Sequence, residues 1–73
     1  MNLSKLGNEQ TARVAALRLP LAQKQRLACL GILPGCAMRM IRNTGRGSIV
    51  VEYRGTFLAM ARSIADRISL ASN

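Results

Sequence analysis

The sequence contains no histidine and only three acidic residues, Glu9, Glu52 and Asp66, which lie far apart along its 73 positions. General acid–base catalysis needs a titratable side chain placed at the substrate, most often a histidine or a carboxyl group. A cysteine nucleophile likewise needs a neighbouring base to form its thiolate. We therefore predict that the protein is not an enzyme, and that Cys29 and Cys36 are reduced thiols buried in the core.

Ligands for metal ions and nucleotides are scarce as well. Cys29 and Cys36 flank a glycine and a Pro-Gly pair at a spacing that is not a recognised metal loop, and the nearby Met38 and Met40 add soft sulfur, which suits soft metal ions more than hard ones. Residues 45–48, with the sequence GRGS, lack the Gly-Lys-Ser/Thr ending of a phosphate-binding loop. We expect no metal site, no cofactor and no phosphate-binding loop.

Long hydrophobic runs are also absent. The longest uncharged run, residues 27–38, contains glycine and proline and falls well short of the ~18 residues that a membrane-spanning helix needs. The N-terminus opens into mixed polar sequence without the apolar stretch of a secretory signal. These features predict a soluble, cytoplasmic protein in a reducing compartment, where disulfides are rare.

Positive charge, by contrast, is abundant. Eleven Lys and Arg residues against three acidic ones give a formal net charge of +8. Such a charge favours an acidic partner, which could be nucleic acid, an anionic membrane surface or an acidic protein. The basic residues are scattered and form no block, so a solvated basic surface explains them equally well.

Nucleic-acid binding is the strongest alternative function, because small basic β-barrels commonly bind RNA or DNA. Such sites combine basic groups with exposed aromatic rings on which bases stack, and the chain has no tryptophan, one tyrosine and one phenylalanine. Tyr53 falls in phase with Ile49 and Val51, which predicts that it faces the core. Phe57 falls out of phase with Leu58, so an exposed apolar contact and a core position are both open for it. We therefore expect no nucleic-acid partner.

Turn residues divide the chain into short elements. An N-terminal arm carrying Leu3 and Leu6 is expected to pack against the body. Pro20 and Gly31 bound a helix, because proline is favoured in the first turn and glycine adopts the left-handed conformation that closes a helix.

Strands are predicted at residues 11–17, around 38–40 and at 49–53, 56–60 and 68–70, with a helix at 21–30 and a helical turn at 62–67 capped by Ser63. Five short strands around an aliphatic core, with a short helix after the first strand, indicate a mainly β fold, a small SH3-like barrel forming one domain over residues 1–73.

Five short motifs follow one another along the chain: LSxL at residues 3–6, ARV at 12–14, RLxxLGIxPG at 26–35, RG at 54–55 and LAM at 58–60. In order and spacing they resemble the ferrous iron transport protein A family, FeoA, and the segment LGIxPG is the most specific part. The resemblance implies a small cytoplasmic SH3-like domain that acts with the membrane transporter of ferrous iron, whose cytoplasmic region carries a GTPase domain. Many relatives have a Pro-Leu-Gly-Asp-Pro-like turn where this chain has TGRGS, so the resemblance does not fix the conformation of residues 44–48.

Two hypotheses about function follow. In the first, the protein binds the cytoplasmic GTPase-containing region of the transporter at the inner face of the cell membrane and modulates iron uptake, with arginines steering an acidic surface and apolar residues making or supporting contact. The residues predicted for this role are Arg26, Leu27, Leu33, Pro34, Arg54, Phe57 and Arg62, whereas Leu30 is assigned to the core. In the second, the chain is a basic nucleic-acid-binding or regulatory module, similar to the SH3-like domains of iron-dependent repressors.

Overall fold

The predicted succession of elements is present in the computed structural model, which describes residues 1–71. The elements are a 3₁₀ helix at Leu3–Lys5, β1 at Thr11–Leu17, α1 at Leu21–Cys29, β2 at Ala37–Arg42, β3 at Ile49–Tyr53, β4 at Thr56–Met60, α2 at Arg62–Ala65 and β5 at Ile68–Leu70. The strands form one antiparallel sheet in the order β4-β3-β2-β1-β5. The mainly β fold with a short helix after the first strand is therefore confirmed.

The period-two alternation read from the sequence places the core. In β3, Ile49, Val51 and Tyr53 are buried, while the two residues between them are only half-buried. Met38 and Met40 of β2 are buried in the same core. Successive side chains of a strand point to opposite faces of the sheet, so these burials confirm the predicted phase of both strands, including the core position of Tyr53.

The N-terminal arm adds to this core and covers one edge of the sheet. Leu3 is fully buried and Leu6 nearly so. The Leu70 N–H donates to the Met1 carbonyl at 2.7 Å, and Asn2 pairs with Ser69 in an isolated bridge. The arm is packed as predicted, and it pairs with the side of β5 that faces away from β1.

The end of α1 is a Schellman motif. Gly31 has φ +92°, and its N–H donates to the Ala28 carbonyl at 2.9 Å. The Ile32 N–H donates to the Leu27 carbonyl, also at 2.9 Å, which satisfies a second orphan carbonyl of the last turn. Leu27 and Ile32 are both buried, so the apolar contact that usually accompanies this motif ties the helix end to the core.

Two local predictions are wrong, and one helix boundary differs by a single residue. The first helix ends at Cys29, with Leu30 as its C-cap. The second begins at Arg62 with Ala61 as its N-cap, so Ser63 lies inside the helix and caps nothing. Both cysteines are free, but Cys29 is exposed and Cys36 only half-buried. Cys29 follows the buried Leu27 by two positions, which on a helix turns its side chain to roughly the opposite side.

Candidate docking groove

A groove of about 400 Å³ lies between α1, β1 and residues 33–35, the corner that follows α1. We call it the α1–β1 groove. Most of the side chains that line it are apolar: Ala15, Ala16, Leu17, Leu21, Lys24, Gln25, Ala28, Leu33 and Pro34. Leu21 and Leu33 are 68% and 50% exposed. An exposed apolar concavity of this kind is typical of a surface that another molecule covers.

One face of α1 forms a wall of the groove. Leu21, Lys24, Gln25 and Ala28 all line it, and their positions follow the i, i+3, i+4, i+7 spacing of a single helix face. Leu27 is buried and points in another direction, into the core. The helix is thus anchored through one leucine and presents a second face to the groove.

The opposite wall owes its shape to small residues and an irregular strand. The pairing of β1 with β5 shifts register between Val14 and Ala16, which is the signature of a bulge. Ala15 is exposed and Ala16 half-buried at this point. Because alanine side chains are single methyl groups, the strand leaves space beside α1.

The corner after α1 holds the remaining wall in place. The Gly35 N–H donates to the Val14 carbonyl at 2.7 Å, and the Cys36 N–H donates to the Leu33 carbonyl at 2.9 Å. The guanidinium of Arg13 donates to the Gly35 carbonyl at 2.8 Å. These bonds fix the corner to β1, so Leu33 and Pro34 are presented on a backbone that is already ordered.

The structure brings two of the predicted contact residues, Leu33 and Pro34, together in the groove. A third predicted contact residue, Leu27, is 8% exposed and its side chain belongs to the core. The interpretation of Leu27 as a surface contact is therefore wrong. Leu30, by contrast, is 48% exposed, so its assignment to the core is wrong. The Schellman turn accounts for both outcomes, since it directs Leu27 inward and leaves Leu30 at the helix end facing solvent.

Arg62 was predicted to steer an acidic partner, and the structure assigns its guanidinium to internal bonds. Its Nε donates to the Gly47 carbonyl at 3.0 Å, its Nη1 to the Ser4 carbonyl at 3.2 Å, and its Nη2 to Oδ1 of Asn43 at 2.6 Å. Asn43 in turn donates from Nδ2 to the Ser4 and Leu6 carbonyls, both at 2.9 Å. Arg62 therefore holds the N-terminal arm, the 43–48 loop and α2 together. Its acceptors are neutral, so it keeps its positive charge, and its steering role stays a prediction.

The other predicted residues lie outside the groove. Arg26 is exposed on α1, on a different face from the groove wall. Arg54 lies beside the end of α1: a β-carbon built on Gly31 would be 3.8 Å from its Nη1, a place where a cation is favoured by the helix dipole. Phe57 is 60% exposed on β4, so it faces solvent and is not part of the core.

Sequence reasoning missed seven of the nine groove residues, including all four on α1: Leu21, Lys24, Gln25 and Ala28. Four consecutive polar residues, 23–26, surround the axis of the helix and obscure its groove-facing side in the sequence. The i, i+3, i+4, i+7 spacing that starts at Leu21 was the available signal. It is weak, since only two of its four members are apolar.

The lining of the groove carries one charged residue, Lys24. The sequence has no acidic residue between Glu9 and Glu52, and both of these glutamates pair with Arg39, at 3.4 and 2.7 Å. The lining therefore combines apolar side chains with a single positive charge.

Metal-binding clusters and membrane-spanning helices are absent from the described residues. Within residues 1–71, no three His, Cys, Asp or Glu side chains come together as a metal-binding group. None of the helices over the same residues has the length and apolar character of a membrane span.

Comparison with known proteins identifies relatives. A family model described as FeoA domain matches residues 1–72. A search of curated protein sequences finds no significant match. Among solved structures, FeoA protein from Chlorobium tepidum is 30% identical, with a TM-score of 0.88 over 96% of this chain and 68% of that one.

Two other structures bear on the fold. FeoA from Stenotrophomonas maltophilia, solved with zinc and described as an SH3 domain protein and a candidate activating factor of ferrous iron transport, is 29% identical, with a TM-score of 0.84 over 97% of this chain and 89% of that one. A manganese-dependent transcriptional repressor is 19% identical, with a TM-score of 0.87 over 100% of this chain and 41% of that one; this likeness is one of fold alone. The predicted SH3-like fold is confirmed.

Proposed function

Because the chain belongs to the FeoA family, we propose that it is a non-enzymatic accessory protein of ferrous iron transport, which binds the cytoplasmic GTPase-containing region of the iron transporter and modulates uptake. It works in the cytoplasm and reaches the membrane through that partner. GTP hydrolysis and iron translocation belong to the transporter.

The observation that supports this proposal best is the α1–β1 groove. Leu21 and Leu33 expose apolar surface on its rim, and the corner that carries Leu33 is fixed by backbone bonds before any partner arrives. Burying one large apolar side chain of a partner in such a groove contributes about 1.5–3 kcal/mol. Preorganised apolar pockets of this kind are where the binding energy of interfaces concentrates.

Charge supports an acidic docking surface. Lys24 lines the groove, and Arg26 and Arg54 are exposed on or beside α1. Exposed charges of this kind raise the association rate and are screened by salt. The proposal therefore predicts binding that weakens as ionic strength increases, through slower association more than through faster dissociation.

Nucleic-acid binding has less support. Tyr53 is buried, which leaves Phe57 as the single exposed aromatic ring available for base stacking within residues 1–71. Titration of the purified protein with single- and double-stranded oligonucleotides at physiological salt separates the two functions. Tight, specific binding there would favour the nucleic-acid module over the transport accessory.

Iron uptake in cells that carry the transporter tests the proposal. Replacing the chain by a Leu33→Glu variant is expected to reduce transporter-dependent uptake of ferrous iron to the level of cells without the protein. Leu30→Glu is the matched control, because Leu30 has nearly the same exposure (48% against 50%) but does not line the groove. Equal uptake with the two variants would contradict docking through the groove.

A further inference from the structure

The outer edge of β4 is open. β4 and β5 are the two edge strands of the sheet, and β5 is paired with the N-terminal arm through Met1 and Asn2. Within residues 1–71, no group outside β3 makes a hydrogen bond to Thr56–Met60. An edge strand left in this state offers its backbone groups to another chain.

The hairpin geometry identifies which backbone groups face outward. Arg54 and Gly55 have φ +50° and +78° and form a two-residue turn of the type in which both central residues are left-handed. The residues that flank such a turn, Tyr53 and Thr56, form a hydrogen-bonded pair, and pairs alternate along an antiparallel ladder. Phe57 is opposite Glu52, in a pair without mutual hydrogen bonds, so its N–H and C=O point away from β3.

The neighbouring strands support the same assignment. Met40 uses both backbone groups toward β1: its N–H donates to the Gln10 carbonyl at 2.9 Å, and its C=O accepts from the Glu9 N–H at 2.7 Å. Because the direction alternates along a strand, Arg39 bonds toward β3 and its partner Glu52 bonds back toward β2. Glu52 therefore has no backbone group left for β4, and the outward groups of β4 are those of Phe57 and, two residues on, Ala59.

The exposed side chains on this edge are mostly apolar, and β4 has no charged residue. Phe57 is 60% exposed, and Ala59 is exposed on the same face. The sequence TFLAM of β4 contains no charge and no proline, and its pairing with β3 runs through five residue pairs without a bulge. Charges, proline and bulges are the devices that usually prevent an edge from pairing. Their joint absence is what distinguishes this edge.

We propose that β4 is a second interaction surface, which accepts an extended acidic segment of a partner protein as a sixth antiparallel strand. The N–H and C=O groups of Phe57 and Ala59 would provide four backbone hydrogen bonds. An apolar side chain of the incoming strand would pack beside Phe57 on the outer face. This surface shares no residue with the α1–β1 groove, and the proposal does not depend on the proposed function.

Charge selects an acidic segment over a second copy of the chain. Arg54 lies in the turn where β4 begins and is exposed, and the neighbouring Glu52 is already bonded to Arg39 at 2.7 Å. The incoming strand therefore passes a turn whose exposed arginine is not neutralised by any acidic residue of the described chain, and whose guanidinium lies beside the end of α1. Two copies of the chain would instead bring together two molecules of formal charge +8.

Amide hydrogen exchange, resolved by residue with NMR, tests the edge itself. In the free protein the N–H groups of Phe57 and Ala59 should exchange at least about tenfold faster than that of Leu58, which bonds to β3. Adding the extended peptide acetyl-TEVTVET-amide should slow exchange at 57 and 59, whereas acetyl-TKVTVKT-amide should bind at least about tenfold more weakly. Slow exchange at 57 and 59 in the free protein, or equal binding of both peptides, would overturn the proposal.

Two variants separate strand addition from other modes of binding. Ala59→Pro removes an outward N–H that the fold does not use, so the protein should stay folded while affinity for the acidic peptide falls at least about tenfold. Phe57→Glu, which removes the apolar side chain and places on the edge a charge of the same sign as the acidic peptide, should have a similar effect. Gln23→Glu adds the same charge on exposed α1 and should leave affinity unchanged.

Unchanged affinity in both edge variants would overturn strand addition. Sedimentation of the free protein decides the identity of the occupant. A dimer that Phe57→Glu abolishes would make the occupant a second copy and overturn the acidic-partner assignment.

Discussion

The Nη2 of Arg62 donates a 2.6 Å hydrogen bond to Oδ1 of Asn43. The same Oδ1 accepts from the Gly45 N–H at 3.1 Å, while the Asn43 Nδ2 donates to two carbonyls of the N-terminal arm. One asparagine thus determines both the start of the 43–48 loop and the position of the arm. The family resemblance does not fix the conformation of this loop, which is held by Asn43 together with the bonds from Arg62 to the Gly47 carbonyl and from the Thr44 hydroxyl to the Arg46 carbonyl, both at 3.0 Å.

Removing either partner of this contact should destabilise the protein. Arg62→Gln and Asn43→Ala each leave half-buried carbonyls or a guanidinium without partners, which costs about 1–3 kcal/mol in the free energy of unfolding. Urea denaturation of both single variants and the double variant measures their coupling. We expect a coupling energy of about 0.5–3 kcal/mol; additive effects would show that the two residues act independently.

A substitution at Gly31 should isolate the backbone contribution to the end of α1. A β-carbon there meets nothing closer than 3.8 Å, so Gly31→Ala introduces no clash and its cost comes from φ +92°. We expect a loss of about 1–2 kcal/mol in the free energy of unfolding. Gly31→Asn should cost less, because asparagine tolerates the left-handed conformation; equal losses would point to packing instead of backbone strain.

Truncation to alanine should lower the free energy of unfolding strongly at Leu27 and hardly at all at Leu30. Leu27→Ala leaves a cavity under α1 and should lower the free energy of unfolding by about 2–5 kcal/mol. Leu30→Ala, at a side chain that is 48% exposed, should change it by no more than about 0.5 kcal/mol. Thermal or urea denaturation provides both values, and the reverse order would place Leu30 in the core.

The two thiols should differ in reactivity. Cys29 is exposed and Cys36 half-buried, and access limits alkylation of thiols that have the same intrinsic reactivity. Iodoacetamide should therefore modify Cys29 at least about tenfold faster than Cys36 in the native protein, as read by peptide mass spectrometry. The rates should converge in denaturant. Equal rates in the native protein would contradict the exposure of Cys29.

Patterns confined to neighbouring residues predicted most of the fold. Alternation placed Met38, Met40 and Tyr53 in the core, because a strand has one simple period and one buried face. Gly31 predicted the end of α1 to within two residues, since its left-handed conformation is a local property.

The candidate site was harder to predict, because it depends on contacts between distant segments. The arginine at position 62 looks like any surface cation in the sequence, and its role appears only when residues 4, 43 and 47 meet around it. The direction of Leu27 depends on which side of α1 packs against the core. The nine-residue helix presents one side to the core and another to the groove. Of the predicted contact residues, only Leu33 and Pro34 line the groove. Both were predicted from a local feature, the Pro-Gly corner.

Direct titration of the purified protein into the isolated cytoplasmic GTPase-containing region of the transporter tests the central claim, docking through the α1–β1 groove. We predict binding that weakens with added salt, and an affinity at least about tenfold lower for Leu33→Glu than for Leu30→Glu, which corresponds to about 1.4 kcal/mol. Both variants should unfold at the temperature of the unmodified protein, which excludes a loss of fold as the cause. Equal affinity of the two variants, or no binding by the unmodified protein, would contradict the claim.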